Sequence, residues 1–348
     1  MKFIYKIAAI FFLFIYSSSS FSIEKIFYLL HSNDQKKTAE WLQTLSAHTQ
    51  FIDLLITQAY HFDKKGVVTG FIEPAILDFT EKNSIHLMAM VTNSSFDEDK
   101  GHVFLAHPAA QKKALFALLK LCEKNHLYGV QFDFEMAELK DKNTLTTFYK
   151  TAAQLFHAHG FFISFTIPPL VSDGPFASSY QKRMYENFGG AYDLKTLGNI
   201  ADFVTLMAYD QHLGRVTPGP VASVPWVEAV IQNTLQSIPA EKISLGIPTY
   251  SGFWYTGKGT DKKITIQNDA IPYQTASHLI KKHDATLQWN QLDQVHYAMY
   301  ENNWLNEYIF LEDKDSFKAK LALIKKYHLR GFSLFRIGTE DPKVWGLL

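Results

Sequence analysis

The sequence predicts an α/β fold: a (β/α)8 TIM barrel with a small α+β insertion between strands 7 and 8. Three observations carry that prediction. Strand-like and helix-like runs alternate along the chain. Most of the strand runs are near-continuous apolar stretches, as expected of strands buried on both faces, and such strands pair in parallel. No Gly-rich phosphate loop follows the first strand, where the chain reads His31-Ser32-Asn33-Asp34; this counts against a doubly wound open sheet.

Strands are expected at residues 25–31, 52–60, 85–92, 128–135, 161–168, 202–210, 242–249 and 331–337. Helical periodicity falls between them at 35–47, 108–124, 145–159, 226–237 and 314–327. Eight strands with helical crossovers in one domain close most simply into a barrel. The rhythm breaks once, over about residues 251–311. That stretch holds a Gly/Lys/Thr loop at 256–263, a helical run at 273–282 and strand-like pieces at 286–289, 295–300 and 308–311. It reads as the insertion.

Residues 1–22 have the pattern of a secretory signal: Lys2 and Lys6, an uncharged apolar run over 7–16, then small residues ending in Ser20 and Ser22. The apolar run is shorter than a typical membrane span; a retained N-terminal anchor is the alternative. The expectation is bacterial export by a cleaved signal peptide, giving a secreted or periplasmic monomer of residues 23–348 with no membrane attachment. Basic and acidic residues balance at 34 each, so nothing favours nucleic acid or an anionic surface. Cys122 is the sole cysteine. No internal disulfide is possible, and its apolar helical setting reads as an inert buried thiol.

The most informative stretch is Tyr128-Gly129-Val130-Gln131-Phe132-Asp133-Phe134-Glu135. Alternation on a strand puts Gln131, Asp133 and Glu135 on one face and the phenylalanines on the other. An amide and two carboxylates on a core strand are costly unless hydrogen-bonded or useful, and the pair is expected to end the strand together. Barrel active sites sit at the C-terminal strand ends. The residues expected there include Tyr60 and His61, Asn93, Asp133 and Glu135, Tyr209 and Asp210 with Gln211 and His212, Tyr250 with Phe253, Trp254 and Tyr255, and Phe335 with Arg336. Acids and aromatic platforms suit sugars. A metal site needs clustered histidines; His157 and His159, two apart on a helix, do not share a face.

These residues resemble glycoside hydrolase family 18, the chitinase-like family. Tyr128–Glu135 is similar to its D-G-x-D-x-D-x-E signature, most of all in the branch of spore-cortex and peptidoglycan-type glucosaminidases. Further similar segments are YDLKTLGNIADFVTLMAYDQH from Tyr192, residues 218–225, KISLGIPTY from Lys242, and KAKLALIKKYHLRGFSLFRIGTEDPKVW from Lys318. The resemblance implies a β-1,4 glycosidase acting next to N-acetylglucosamine, on chitin, chitooligosaccharide or peptidoglycan, without metal or organic cofactor. Glu135 would be the general acid. Asp133 would orient the substrate's own 2-acetamido group, which replaces an enzyme nucleophile. Tyr209 would hydrogen-bond that group, and Asp210 would hold the sugar. The implied alternative is a chitinase-like lectin that binds sugar without cutting it; such proteins generally lack the acid that Glu135 supplies here.

The sequence departs from the family pattern at three positions. Tyr128 stands for the motif's first Asp, Gln131 for its second, and Phe335 for the Trp that floors the cleavage subsite. An amide cannot share a proton with Asp133, so Asp133 is expected to be plainly ionised. Gln131, Phe335, Tyr60, Asn93 and Trp254 are the candidate substrate contacts. His212 is expected to brace its loop, Trp226 and Trp345 to pack helices, and Arg336 to pair with an acid at the rim.

Overall fold

The computed structural model describes residues 23–348, apart from Asn33, 94–97, 213–216 and 259–261. The expected signal peptide and the centre of the 256–263 loop thus lie outside the described residues. The strands are β1 (Glu24–Leu29), β2 (Leu54–Phe62), β3 (Val68–Gly70), β4 (His86–Asn93), β5 (Gly129–Asp133), β6 (Phe162–Ile167) and β7 (Phe203–Leu206). They continue as β8 (Ile243–Pro248), β9 (Ser251–Lys258), β10 (Ile264–Ile271), β11 (Gln288–Asn290), β12 (Val295–Asn302), β13 (Leu305–Leu311) and β14 (Gly331–Phe335).

Eight of them form the barrel in the order β1-β14-β8-β7-β6-β5-β4-β2, and pairing of β1 with β2 closes it. All eight pairings are parallel. The short β3 adds antiparallel to the end of β2. The remaining strands form the five-stranded antiparallel sheet β10-β9-β13-β12-β11. It carries the helix Tyr273–Lys282 and lies between the seventh and eighth barrel strands, as the sequence predicts.

The crossover helices bury one apolar stripe each against the outer face of the barrel. Helix Pro108–Lys124 turns Leu115, Leu118, Leu119 and Cys122 inward, so the thiol is buried as expected. Helix Lys142–Ala158 brings Phe148, Tyr149 and Phe156 against Phe132, at centroid distances of 5.4, 6.2 and 6.3 Å. The phenylalanine face of β5 therefore looks out at the helices, and its polar face looks into the barrel. Trp345 packs as expected, stacked on Phe27 at 5.1 Å and on His48 at 4.1 Å.

The barrel interior is layered. At the N-terminal end Tyr128 stacks between His86 and Phe162, each at 4.1 Å. This explains the missing first Asp of the motif: the position belongs to a bottom plug and faces away from the cleft. Above it sits a ring of buried polar groups. Tyr28 Oη donates to Gln131 Oε1 at 2.5 Å. Gln131 Nε2 donates to Ser164 Oγ at 3.0 Å and Thr205 Oγ1 at 3.1 Å. Ser333 Oγ lies 3.3 Å from Thr205 Oγ1 and 2.8 Å from Ser244 Oγ. Gln131 is wholly buried, with every polar atom engaged, which is the condition for placing an amide there.

The insertion is tied back to the barrel by a buried ion pair. Glu312, just past β13, holds Lys320 of helix Lys314–Tyr327 at 2.7 Å, and the side chains are 2% and 1% exposed. Ser316 Oγ donates to the same carboxylate at 2.8 Å. Breaking such a pair strands a buried charge and typically costs about 3–5 kcal/mol, whereas removing both partners costs far less. Lys320→Met should therefore lower the thermal midpoint strongly. Glu312→Gln with Lys320→Met should recover most of the loss, as read by calorimetry at pH 7.

Candidate functional site

The site is assembled where β5 and β7 end. β5 stops at Asp133, two residues earlier than the sequence suggests. Glu135 is therefore placed by the main chain beyond the strand, through three side-chain contacts. Asn93 Nδ2 donates to the Glu135 carbonyl, and the Glu135 amide donates to Asn93 Oδ1, both at 2.9 Å. The Tyr192 hydroxyl donates to the Phe134 carbonyl. The next residue, Met136, has φ of 59°, a left-handed conformation costly for a non-glycine residue. The chain bends sharply just after Glu135, and Asn93 fixes the bend.

Asp133 points into the barrel above Gln131. Its Oδ1 accepts from Thr166 Oγ1 at 2.6 Å. Burial raises its carboxyl to about 6, opposed by the single Thr166 hydroxyl. A carboxyl at about 6 is still mostly charged at neutral pH, so Asp133 is ionised there as expected, though it titrates above an ordinary aspartate. Gln131 spends its polar atoms on Tyr28, Ser164 and Thr205, and desolvation governs Asp133. Glu135 is raised further, to about 8, first by burial and then by the negative charges of Asp133 and Asp210. Asp210 is also raised by burial, against a hydrogen bond from Tyr250. Among the described residues no lysine or arginine pairs with any of the three. Close carboxyls without a cation cannot all ionise at neutral pH. The arrangement therefore presents a protonated carboxylic acid beside a carboxylate.

An aromatic floor adjoins the acids. Phe335 stacks on Tyr209 at 5.0 Å and 10°. Tyr28 and Tyr250 meet Phe335 at 5.7 and 6.3 Å, in tilted to edge-on contacts. Tyr209, Asp210 and Phe335 are partly exposed, so the cluster opens to solvent. Beside Asp210 lies a cleft of about 350 Å³, lined by Leu170, Val171, Tyr180, Met184 and Trp226. The backbone at Asp210 is also left-handed, with φ of 62°, a conformation that Asp tolerates better than most residues.

The structure brings together Asp133, Glu135, Tyr209, Asp210 and Phe335. It separates or reassigns four other candidates. Gln131 lies below the site in the polar ring and cannot touch a substrate. Tyr60 is turned away: a register shift between Gln58 and Tyr60 moves it off the inward row of Leu54 and Ile56. It packs in the outer core, where its hydroxyl accepts from Asn125 Nδ2 at 3.0 Å. Asn93 is buried and spends its amide on the Glu135 backbone, which makes it a positioning residue. Trp254 is 1% exposed and donates from Nε1 to the Gly219 carbonyl at 3.3 Å; it is core and offers no platform. His61 is tied to Thr69 at 2.6 Å. His212 braces its loop as expected, through the Thr217 carbonyl at 3.0 Å.

Sequence reasoning gave no role to Tyr250, Tyr192 or Thr166. The sequence places Tyr250 at the rim, at the end of the seventh strand, but does not foresee its hydrogen bond to Asp210. Thr166 alternates with Ser164 on the inner face of β6, a pattern that could have marked it; Tyr192 lies in a loop, where nothing in the local pattern marks it.

Comparison with known proteins places this geometry. Residues 27–340 match the family described as Glycosyl hydrolases family 18. The chain is 30% identical over 277 residues to the cortical fragment-lytic enzyme of Bacillus subtilis, covering 77% of this chain and 61% of that enzyme. In structure it is similar to the spore cortex-lytic enzyme SleL of Bacillus megaterium, with a TM-score of 0.81 and 22% identity over 93% of this chain and 73% of that one. It is likewise similar to a chitinase of Chromobacterium violaceum, with a TM-score of 0.79 and 24% identity over 93% and 97%.

Two predictions follow from the geometry. Asn93→Ala frees the backbone that aims Glu135. Misplacement by about 1 Å can cost about 10²-fold, so kcat should drop about 10–100-fold with little change in KM and an unchanged circular dichroism spectrum. The second concerns stability. Glu135 has a raised pKa in the folded protein, so from about pH 4.5 to 8 the folded state holds a proton that the unfolded chain has released. Stability therefore falls as pH rises through that window. Glu135→Gln removes this loss. It should stabilise the protein by roughly 1–3 kcal/mol at pH 8 and by little at pH 4, as read by denaturant melts at both values.

Proposed function

We propose, for a chain that belongs to glycosyl hydrolase family 18 and is a glycoside hydrolase, that it cleaves β-1,4 bonds next to N-acetylglucosamine with retention of configuration. The observation that carries this reading is Glu135, a partly exposed carboxyl held protonated near neutral pH by burial and by the charges of Asp133 and Asp210. A general acid must carry its proton at working pH and be accessible to substrate; the raised carboxyl and partial exposure of Glu135 support that role.

The chemistry then runs as follows. Glu135 gives its proton to the leaving glycosidic oxygen as the bond to C1 breaks. The substrate's acetamido oxygen attacks C1 from the opposite face and forms a cyclic oxazolinium. Asp133 accepts the acetamido N–H and stabilises the positive charge, while Tyr209 donates to the acetamido oxygen. Glu135, now a carboxylate, takes a proton from the incoming water, which opens the ring and restores both groups. Two displacements at C1 return the β-anomer. Phe335 forms the floor under the sugar, with less stacking area than a Trp and no N–H donor. The 350 Å³ cleft beside Asp210 is the place for sugars beyond the cleaved bond.

The substrate class is chitin, chitooligosaccharide or peptidoglycan, and relatives named for cortex lysis and for chitinase activity support both. The reading includes export, with the enzyme acting as a monomer outside the cytoplasm.

A fluorogenic chitotrioside tests the mechanism. Glu135→Gln should lower kcat about 10²–10⁴-fold, and proton NMR should find the β-anomer formed first by the wild type. Equal turnover by both proteins, or initial release of the α-anomer, would falsify the assignment. The wild-type rate should also decline as pH rises through about 8, where Glu135 loses its proton.

A further inference from the structure

Among the described residues, Arg336 at the end of β14 has no ion-pair partner. Arg336 directly follows Phe335, the aromatic floor, and is partly exposed. Its backbone is fixed. The Arg336 amide donates to Thr249 Oγ1 at 2.9 Å, and the Arg336 carbonyl lies 2.9 Å from Thr249 Oγ1 and 2.8 Å from Thr339 Oγ1. The Phe335 carbonyl accepts from the Thr249 amide at 2.9 Å. The residue is thus carried on the same rigid segment that presents the floor.

The sequence predicts that Arg336 pairs with an acid at the rim. The structure corrects this. Among the described residues no carboxylate forms an ion pair with it, and each acid of the adjoining segments is engaged elsewhere. Glu340 accepts from the Gly338 amide at 2.6 Å. Asp341 accepts from the Lys314 and Lys343 amides, both at 3.0 Å. Glu312 holds Lys320. Burial lowers the guanidinium, opposed by the Tyr250 phenol, which itself donates to Asp210. Arg336 thus stands at the strand end that carries the Phe335 floor, yet among the described residues it pairs with none of the site's acids, and Asp133, Glu135 and Asp210 are all raised.

A half-buried guanidinium left unpaired next to the aromatic floor in sequence is suited to an incoming anion. Its planar fork of donors matches a carboxylate bidentately. A polymer made only of N-acetylglucosamine carries no anion. A strand in which N-acetylglucosamine alternates with N-acetylmuramic acid carries one lactyl carboxylate per repeat, wherever no peptide is attached to it.

We propose that Arg336 binds the free lactyl carboxylate of a muramic acid residue next to the N-acetylglucosamine held over Phe335, and so selects peptide-free peptidoglycan strands. This rests on the glycosidase reading above and deepens it. It also sets an order of reactions. The lactyl carboxylate is free only after an amide hydrolysis has removed the stem peptide, so an amidase-type reaction must supply the substrate.

The test compares two substrates that differ in one group: an oligosaccharide of alternating N-acetylglucosamine and N-acetylmuramic acid with free lactyl carboxylates, and the same oligosaccharide with lactyl amides. A charge-assisted bidentate pair corresponds to roughly tenfold or more in affinity. The wild type should prefer the acid over the amide about tenfold in kcat/KM, mainly through KM. Arg336→Gln should bring that ratio to within about twofold, and Arg336→Lys should keep part of it. A ratio that survives Arg336→Gln, with both substrates slowed by the same factor, identifies a structural role and overturns the proposal. A wild type that does not distinguish acid from amide overturns it as well. If the wild type turns over neither substrate, the mechanism proposed above fails. Calorimetric binding of the two oligosaccharides to wild type and Arg336→Gln then decides on Arg336 alone: a lost preference for the acid supports it, and an absent or unchanged preference overturns it.

Discussion

The structure depends on one constraint: three carboxyl groups, Asp133, Glu135 and Asp210, are held close together at one end of a barrel, and among the described residues no lysine or arginine pairs with them. Burying charge without a partner is costly, and a buried carboxyl responds by keeping its proton. The surroundings moderate the cost without removing it. Thr166 donates to Asp133, and Tyr250 donates to Asp210. Among the described residues Glu135 has no such donor for its carboxyl, and burial with the charges of Asp133 and Asp210 raises it to about 8. The group left least satisfied is the one that the chemistry needs protonated.

The rest of the barrel serves to hold that arrangement. The interior changes character from end to end: an aromatic plug at Tyr128, a ring of hydroxyls around Gln131, then the acids and the Phe335 floor. The ring matters because it satisfies Gln131 completely and leaves Asp133 to a single hydroxyl. Two substitutions in the family motif thereby acquire physical meanings. Tyr128 fills the closed end, far from any sugar. Gln131 removes an acid from the stack beneath Asp133, so the carboxyl cluster is confined to the mouth. Asn93 and Tyr192 then fix the chain where β5 has ended, so that Glu135, beyond the strand, still feels the charges of Asp133 and Asp210.

Much of this was legible in the sequence. Continuous apolar runs located all eight barrel strands, because strands buried on both faces leave that trace. The irregular stretch from 251 to 311 marked the insertion, and helix Lys314–Tyr327 matches its expected bounds. Alternation in β5 put Gln131 and Asp133 on the inner face. The errors have particular causes. A bulge in β2 reversed the direction of Tyr60, and one extra residue leaves no mark in apolar periodicity. Asn93 ends β4 and Trp254 lies in β9 just past the β8 terminus, yet each is consumed by the backbone of a neighbouring loop. Such pairings over 42 and 35 positions are invisible in a linear pattern. The upward shift of Asp133 was not legible, because it comes from burial in the folded barrel and not from the residue at position 131.

The central claim is that Glu135 holds its proton at neutral pH. Selective carbon-13 labelling of glutamate side-chain carboxyls, followed by NMR titration of wild type and Glu135→Gln, measures this directly. The account predicts one resonance that titrates near pH 8 and vanishes in the variant. A Glu135 resonance that titrates between about pH 4 and 5, as an ordinary exposed carboxyl does, would contradict it.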